Sequence, residues 1–190
     1  MRLYFKADGS PNLKNLTLAT FLLAGVYFKA FWFTTGRVKD DTMVPYFRTG
    51  GFPFADRVLY QQFYLIKEKL QGKIVAVQNP YKKNEIIFRR IIAEQNQWVQ
   101  RIDDGGIIKV PNNHVWVESI NPNDRGVDSL STFGPISKNF VVGKAWYVIW
   151  PLWRLESVND LDKYSKLTNY KYQHSKVFSE EEMFKTYGVR

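Results

Sequence analysis

The sequence predicts a mainly β protein with one apolar helix ahead of the β-domain and an extension behind it. Three observations carry this. Residues Leu16 to Thr35 are apolar except for small hydroxyls and Lys29. From Asp56 to Pro151 short apolar runs alternate with turn residues. After Pro151 the chain changes to a mixed-charge segment that carries six Tyr/Phe. The implied organisation is an N-terminal segment 1–15, an apolar anchor 16–36, a β-domain 37–154 and a C-terminal extension 155–190. A chain of 190 residues suffices for one well-cored domain with appendages.

The run LTLATFLLAGVYFKAFWFTT approaches the roughly 20 residues that a helix needs to cross a bilayer. Lys29 near its end can snorkel, and Tyr27, Phe31, Trp32 and Phe33 suit an interfacial aromatic belt. This predicts a transmembrane anchor; a buried helix of a soluble protein is the competing reading. No small-x-small cleavage site follows, so the run stays in the mature chain. Arg2, Lys6, Asp8 and Lys14 give +2 before the run, while Arg37, Lys39, Asp40 and Asp41 cancel after it. That asymmetry puts the N-terminus on the positive-inside face.

Segments such as KIVAVQNP, NEIIFRRIIAE, NHVWVESINP and FVVGKAWYVIWP read as strands, and Asp103 to Gly106 as a hairpin turn. YQQFYLIKEKLQ fits either a short helix or a strand followed by a turn. The extension from Leu155 is neutral, with six Lys/Arg against six Asp/Glu, so the net charge of +9 lies before it. Its aromatic content suits a segment lying against a partner surface, with a free tail as the alternative.

Composition excludes several chemistries. The chain has no cysteine, which removes disulfides, thiol catalysis and cysteine-based metal sites. Its only histidines are His114 and His174. Neither a metal nor a cofactor is expected. A basic excess without a dense basic stripe or a nucleic-acid motif does not point to nucleic acid.

A hydrolase without cysteine and almost without histidine can still use a Ser/Lys dyad, in which a desolvated lysine accepts the proton of a serine hydroxyl. That directs attention to the hydroxyl of DDTMVPYF and the basic pair of EIIFRRIIAE. Around them the chain resembles the type I signal peptidase family, and within it the mitochondrial inner membrane protease branch. The family's Ser-Met-x-Pro box is matched by Thr42-Met43-Val44-Pro45, and its Lys-Arg-(Ile/Val)-Ile-Ala box by Arg89-Arg90-Ile91-Ile92-Ala93. VPNNHVWVESI (Val110 to Ile120), GVDSLSTFGPI (Gly126 to Ile136) and VIWP (Val148 to Pro151) match three further motifs in order.

The resemblance covers about Leu16 to Trp153 and implies a membrane helix followed by a coiled, mostly antiparallel β-domain. It also implies roles. Thr42 stands at the nucleophile and Arg89 at the general base, Asp128 and Ser129 at site-supporting positions, and Met43, Val44 and Pro45 beside the substrate groove. Packing alone is an equal reading for Met43 and Pro45, and a polar turn is an equal reading for Asp128-Ser129.

The catalytic boxes depart from the family pattern. A guanidinium stays protonated in proteins, so Arg89 cannot take a hydroxyl proton. Thr42 adds a methyl where a serine fits. Gly126 replaces a serine that helps to orient the lysine, and Asn96-Gln97 and Ser119-Ile120 replace Gly-Asp pairs. Lys82 and Lys83 lie upstream and would have to reach back.

Strand alternation puts Ile87, Arg89 and Ile91 on one face, with Asp128, Asp40 or Asp41 as partners for Arg89. Thr42 reads as a loop hydroxyl and His114 as an ordinary strand residue. The resemblance thus implies a pseudoenzyme retained as an accessory subunit of a large mitochondrial inner-membrane complex, a respiratory-chain complex being the natural candidate. Its partners would be other protein subunits, a paralogous protease-like subunit among them, and the lipid bilayer, with the β-domain in the intermembrane space. The alternative is an active signal-peptide-processing endopeptidase using Thr42 and another base.

Overall fold

The computed structural model describes residues 13–50, 53–62, 68–161 and 174–188. Most of the N-terminal segment, the middle of YQQFYLIKEKLQ and the centre of the extension lie outside the described residues. The chain divides into two compact units, Met1–Thr34 and Thr35–Arg190.

Helix α1 spans Leu13–Trp32. The hydroxyls of Thr17 and Thr20 donate to the carbonyls of Lys14 and Thr17, so the helix satisfies them internally. Leu18, Phe21, Leu22, Leu23, Val26 and Tyr27 are exposed. Among the described residues, however, no helix is long and apolar enough to cross a membrane. This corrects the expected transmembrane anchor 16–36. The helix opens on Lys14 and Asn15, and it stops at Trp32 because the β-branched pair Thr34-Thr35 turns the chain into strand β1 (Phe33–Arg37).

The second unit is mainly β, as expected, and its strands pair antiparallel. Strands β2 (Arg57–Gln62), β3 (Ile74–Gln78), β4 (Ile86–Glu94), β7 (His114–Glu118), β8 (Ile136–Ser137), β9 (Val141–Trp150) and β10 (Glu156–Ser157) join β1 in one sheet. Its order is β1-β2-β9-β3-β4-β7-β8, with β10 also on β9. Register shifts interrupt the β2/β9, β3/β9 and β4/β7 ladders, and such bulges increase the twist that curls a sheet. Where β2 runs close to β9 the position requires a glycine: a Cβ on Gly143 would lie 2.3 Å from the Gln61 carbonyl oxygen.

The sheet has apolar side chains on both faces. Ile74 and Ala76 of β3 point into a cluster with Met43, Phe47, Phe88 and Val148, while Val75 and Val77 point into another with Ile87, Ile91 and Val117. This is the period of two that the sequence shows in KIVAVQ.

A smaller sheet holds β5 (Trp98–Gln100), β6 (Ile107–Lys109) and β11 (Lys176–Phe178) in the order β11-β5-β6. The end of the extension therefore lies on its own chain. Val177 faces Val99 in register and packs against the cluster of Ile92, Val99 and Trp116. Helix α2 (Glu180–Tyr187) follows, started by a capping box of Ser179 and Glu182 and ended by Gly188 in the left-handed region.

Loops at the β2 and β9 ends are stitched together. Trp150 Nε1 donates to the Pro53 carbonyl at 2.8 Å, and Arg57 pairs in register with Trp150. Buried Asp56 accepts from the Arg48 amide and from the Arg154 guanidinium, which also donates to the Tyr46 carbonyl. Burial pushes the Asp56 carboxyl above its usual range, against the opposing pull of those donors.

Candidate functional site

Thr42 sits in a single 3₁₀ turn, Asp41–Met43, directly after the β1 segment. The turn is held from outside. The Thr42 carbonyl accepts from the amides of Ile120 and Asn121 at 2.9 and 2.8 Å, and Asn121 Nδ2 donates to the Asp41 carbonyl at 2.9 Å. Val44 begins the extended run past the turn, and Met43 is inserted wholly into the core.

Arg89 comes to this turn from the middle of β4, and none of its surface reaches solvent. Its guanidinium is shared among four acceptors. Nη1 donates to the Thr42 hydroxyl at 2.7 Å and to the Phe88 carbonyl at 2.6 Å; Nε donates to the Val127 carbonyl at 2.8 Å; Nη2 donates to Asp40 Oδ2 at 3.1 Å. Of the three acidic residues suggested as partners, Asp40 forms the ion pair. A buried cation needs this degree of satisfaction to be tolerated.

Gly126 closes the third side. Its φ is +53°, and a Cβ there would lie 2.6 Å from Cγ2 of Thr42 and 3.5 Å from Nη2 of Arg89. The methyl of Thr42 thus occupies the space that a side chain at 126 would need. Neither residue alone announces this contact in the sequence; the co-occurrence of threonine at 42 and glycine at 126 is the signal that could have found it.

Asp128 and Ser129 support the adjoining loop rather than touching Thr42. Both oxygens of buried Asp128 are used, one by the Leu130 and Ser131 amides and the Ser131 hydroxyl, the other by the amide and hydroxyl of Ser119. Ser129 Oγ accepts from the Val117 amide. His114, on the edge of β7, contacts the Asn112 carbonyl through Nδ1.

A cleft of about 210 Å³ opens over the turn, lined among others by Lys39, Asp40, Lys82, Glu85 and Asp124, with Thr42 and Arg89 in its floor. Thr42 is 1% exposed and Arg89 0%. Lys82 pairs with Glu85 at 3.9 Å, and its side chain is 73% exposed. Val44 and Pro45 are half-buried, and the cleft is walled by other residues. Among the described residues no group of His, Asp and Glu is arranged to hold a metal ion. A floor of this kind can fix loops and a charge. The described partner of the Thr42 hydroxyl is itself a donor cation, which cannot accept its proton.

Sequence reasoning missed a second polar centre. Buried Glu118 at the end of β7 accepts from Trp116 Nε1 at 2.7 Å and from the Ser175 amide at 3.3 Å, with His174 Nδ1 at 3.4 Å. Burial pushes this carboxyl up, and the hydrogen bonds from His174, Ser175 and Trp116 together bring it below its usual range. It holds the returning C-terminal segment.

No family profile matches the chain. Among curated proteins it is similar to mitochondrial inner membrane protease subunit 2 of Mus musculus, 34% identical over 127 residues, which is 64% of this chain and 71% of the relative. The protein of that name from Danio rerio is 28% identical over 152 residues, 79% of each chain. The Saccharomyces cerevisiae protein of that name is 46% identical over 44 residues, 23% of this chain and 24% of the relative. The mouse match is long enough on both chains to decide the relationship, and it agrees with the ordered motifs around Thr42 and Arg89: the chain belongs to the signal-peptidase-like family of mitochondrial inner membrane protease subunit 2.

Proposed function

We propose that this protein is a protease-like subunit that no longer cleaves peptides and serves as a structural or accessory component of a large complex at the mitochondrial inner membrane, with a respiratory-chain complex as the host. One observation carries the reading. The guanidinium of Arg89 donates to the hydroxyl at the nucleophile position, and both residues are buried. A nucleophile needs a base within hydrogen-bond reach; the Thr42 hydroxyl instead meets a permanent cation, and the residue is almost wholly buried at the floor of the cleft.

The mitochondrial inner membrane setting and the partnership with other protein subunits are carried over from the relatives' names. A paralogous protease-like subunit belongs among those partners. The exposed apolar side chains of α1 support attachment to the membrane, with the β-domain in the intermembrane space. Asp40, Thr42, Arg89 and Gly126 then act as a clamp between three chain segments, and Asp128 and Ser129 as supports of the third.

The test is an assay of the purified full chain on a presequence-type peptide, alongside Thr42→Ala, together with sizing of the native membrane extract. The expected result is no cleavage by either protein and migration with a large assembly. Cleavage that Thr42→Ala abolishes overturns the reading in favour of an active endopeptidase.

A further inference from the structure

The C-terminal segment closes a cavity as it returns to the small sheet. About 210 Å³ in volume, the cavity is lined by Gln100, Arg101 and Ile102 from the end of β5 and the hairpin after it, and by His174 and Lys176 from the returning segment. Arg101 and Lys176 give its walls positive charge, and among the described residues no Asp or Glu lines it.

Lys176 and Gln100 are direct partners in the β11/β5 register, so their side chains leave the same face of the sheet, about 5 Å apart at Cβ. Val177 and Val99, the next pair, point the other way into the apolar cluster. Among the described residues, neither the Lys176 ammonium nor the Gln100 amide has a hydrogen-bond or ionic partner. The acids of the hairpin and of β7 are already engaged: Asp103 and Asp104 hold Arg101, and buried Glu118 holds Trp116, Ser175 and His174. An unpaired surface lysine is ordinary. Here it stands opposite an unpaired amide over a cavity, with a second cation and an imidazole in the walls, so several donors converge on one space.

We infer that this cavity takes a phosphate group, carried by inorganic phosphate or a small phosphomonoester, and that the bound group fastens the C-terminal segment to β5. A carboxylate presents two oxygens. A tetrahedral phosphate presents more, so it accepts from Lys176, Gln100 and the His174 ring together, in charge-assisted hydrogen bonds. Gln100 stands on β5 and the other two donors on the returning segment, so the ligand and the docked segment stabilise each other by linkage. Such a site is independent of the degenerate dyad and of membrane attachment.

The probe is inorganic phosphate added to the purified full chain, with potassium chloride at equal ionic strength as the reference. Calorimetry is expected to show one phosphate per chain. Hydrogen exchange in the peptide covering His174 to Phe178 should slow roughly tenfold at ten times the dissociation constant. Lys176→Gln and Gln100→Leu should each weaken binding by about tenfold, whereas Lys185→Gln, on exposed α2, should leave it unchanged. Equal slowing by chloride, or binding that survives both Lys176→Gln and Gln100→Leu unchanged, overturns the site. Phosphate that does not bind at millimolar concentration overturns it as well. Glycerol phosphate and a short-chain phospholipid below its micelle concentration separate the sources of the group: binding of the phospholipid alone overturns the assignment to a soluble phosphate compound.

Discussion

Gly126 is held at positive φ beside the methyl of Thr42 and the guanidinium of Arg89, and these three positions answer for one another. Gly126→Ala is expected to cost roughly 2–4 kcal/mol, since it adds both left-handed strain and overlap. Thr42→Ser removes the methyl, so in that background the cost should fall by about 1 kcal/mol or more; additive losses in a double-mutant cycle by denaturant melting would refute the contact. Arg89→Lys keeps the charge but cannot serve the Val127, Phe88, Thr42 and Asp40 oxygens together. A loss of roughly 2 kcal/mol in the same measurement is expected. Position 89 was legible in the sequence as a lysine site taken by arginine, and Asp40 was legible as one of three nearby acids. The carbonyls of Val127 and Phe88 were not, because backbone acceptors leave no mark on side-chain identity.

Among the elements, β11 depends most on a distant residue. Its three residues have little pairing of their own, and Glu118 anchors the turn that precedes them. The sign of its pH dependence follows from the lowered carboxyl. The contribution is present above the ordinary glutamate range and is lost as pH falls through the lower folded value. Glu118→Gln should therefore cost about 1–2 kcal/mol near neutrality. It should also flatten the wild-type loss of amide protection at Val177 on acidification, with Val75 as the unaffected control. The central strands were legible because buried β-branched runs keep a period of two between turn residues, as in KIVAVQ and NHVWVE. The fate of the extension was not, since a strand as short as KVF is decided by the free edge of β5. The end of α1 was also obscured: Phe33 continues the apolar run, while Thr34 and Thr35 already belong to a strand.

At the scale of the whole molecule, apolar side chains of α1 and, in the second unit, Phe54, Leu152, Trp153 and Leu155 are exposed. Phe54→Ser/Trp153→Ser should leave the unfolding free energy within about 0.5 kcal/mol of wild type by denaturant melting, as changes at exposed side chains do. A loss of several kcal/mol would instead show that these side chains belong to the core. The clamp at the cleft floor also carries a history. Threonine at 42 collides with a side chain at 126, so in any ancestor with the family's serine there, the glycine had to arrive before or together with the methyl. Once both were in place, a return of serine at 126 alone became a damaging step. The path to this chain runs like a ratchet: the two substitutions came in an order that their own geometry makes hard to retrace.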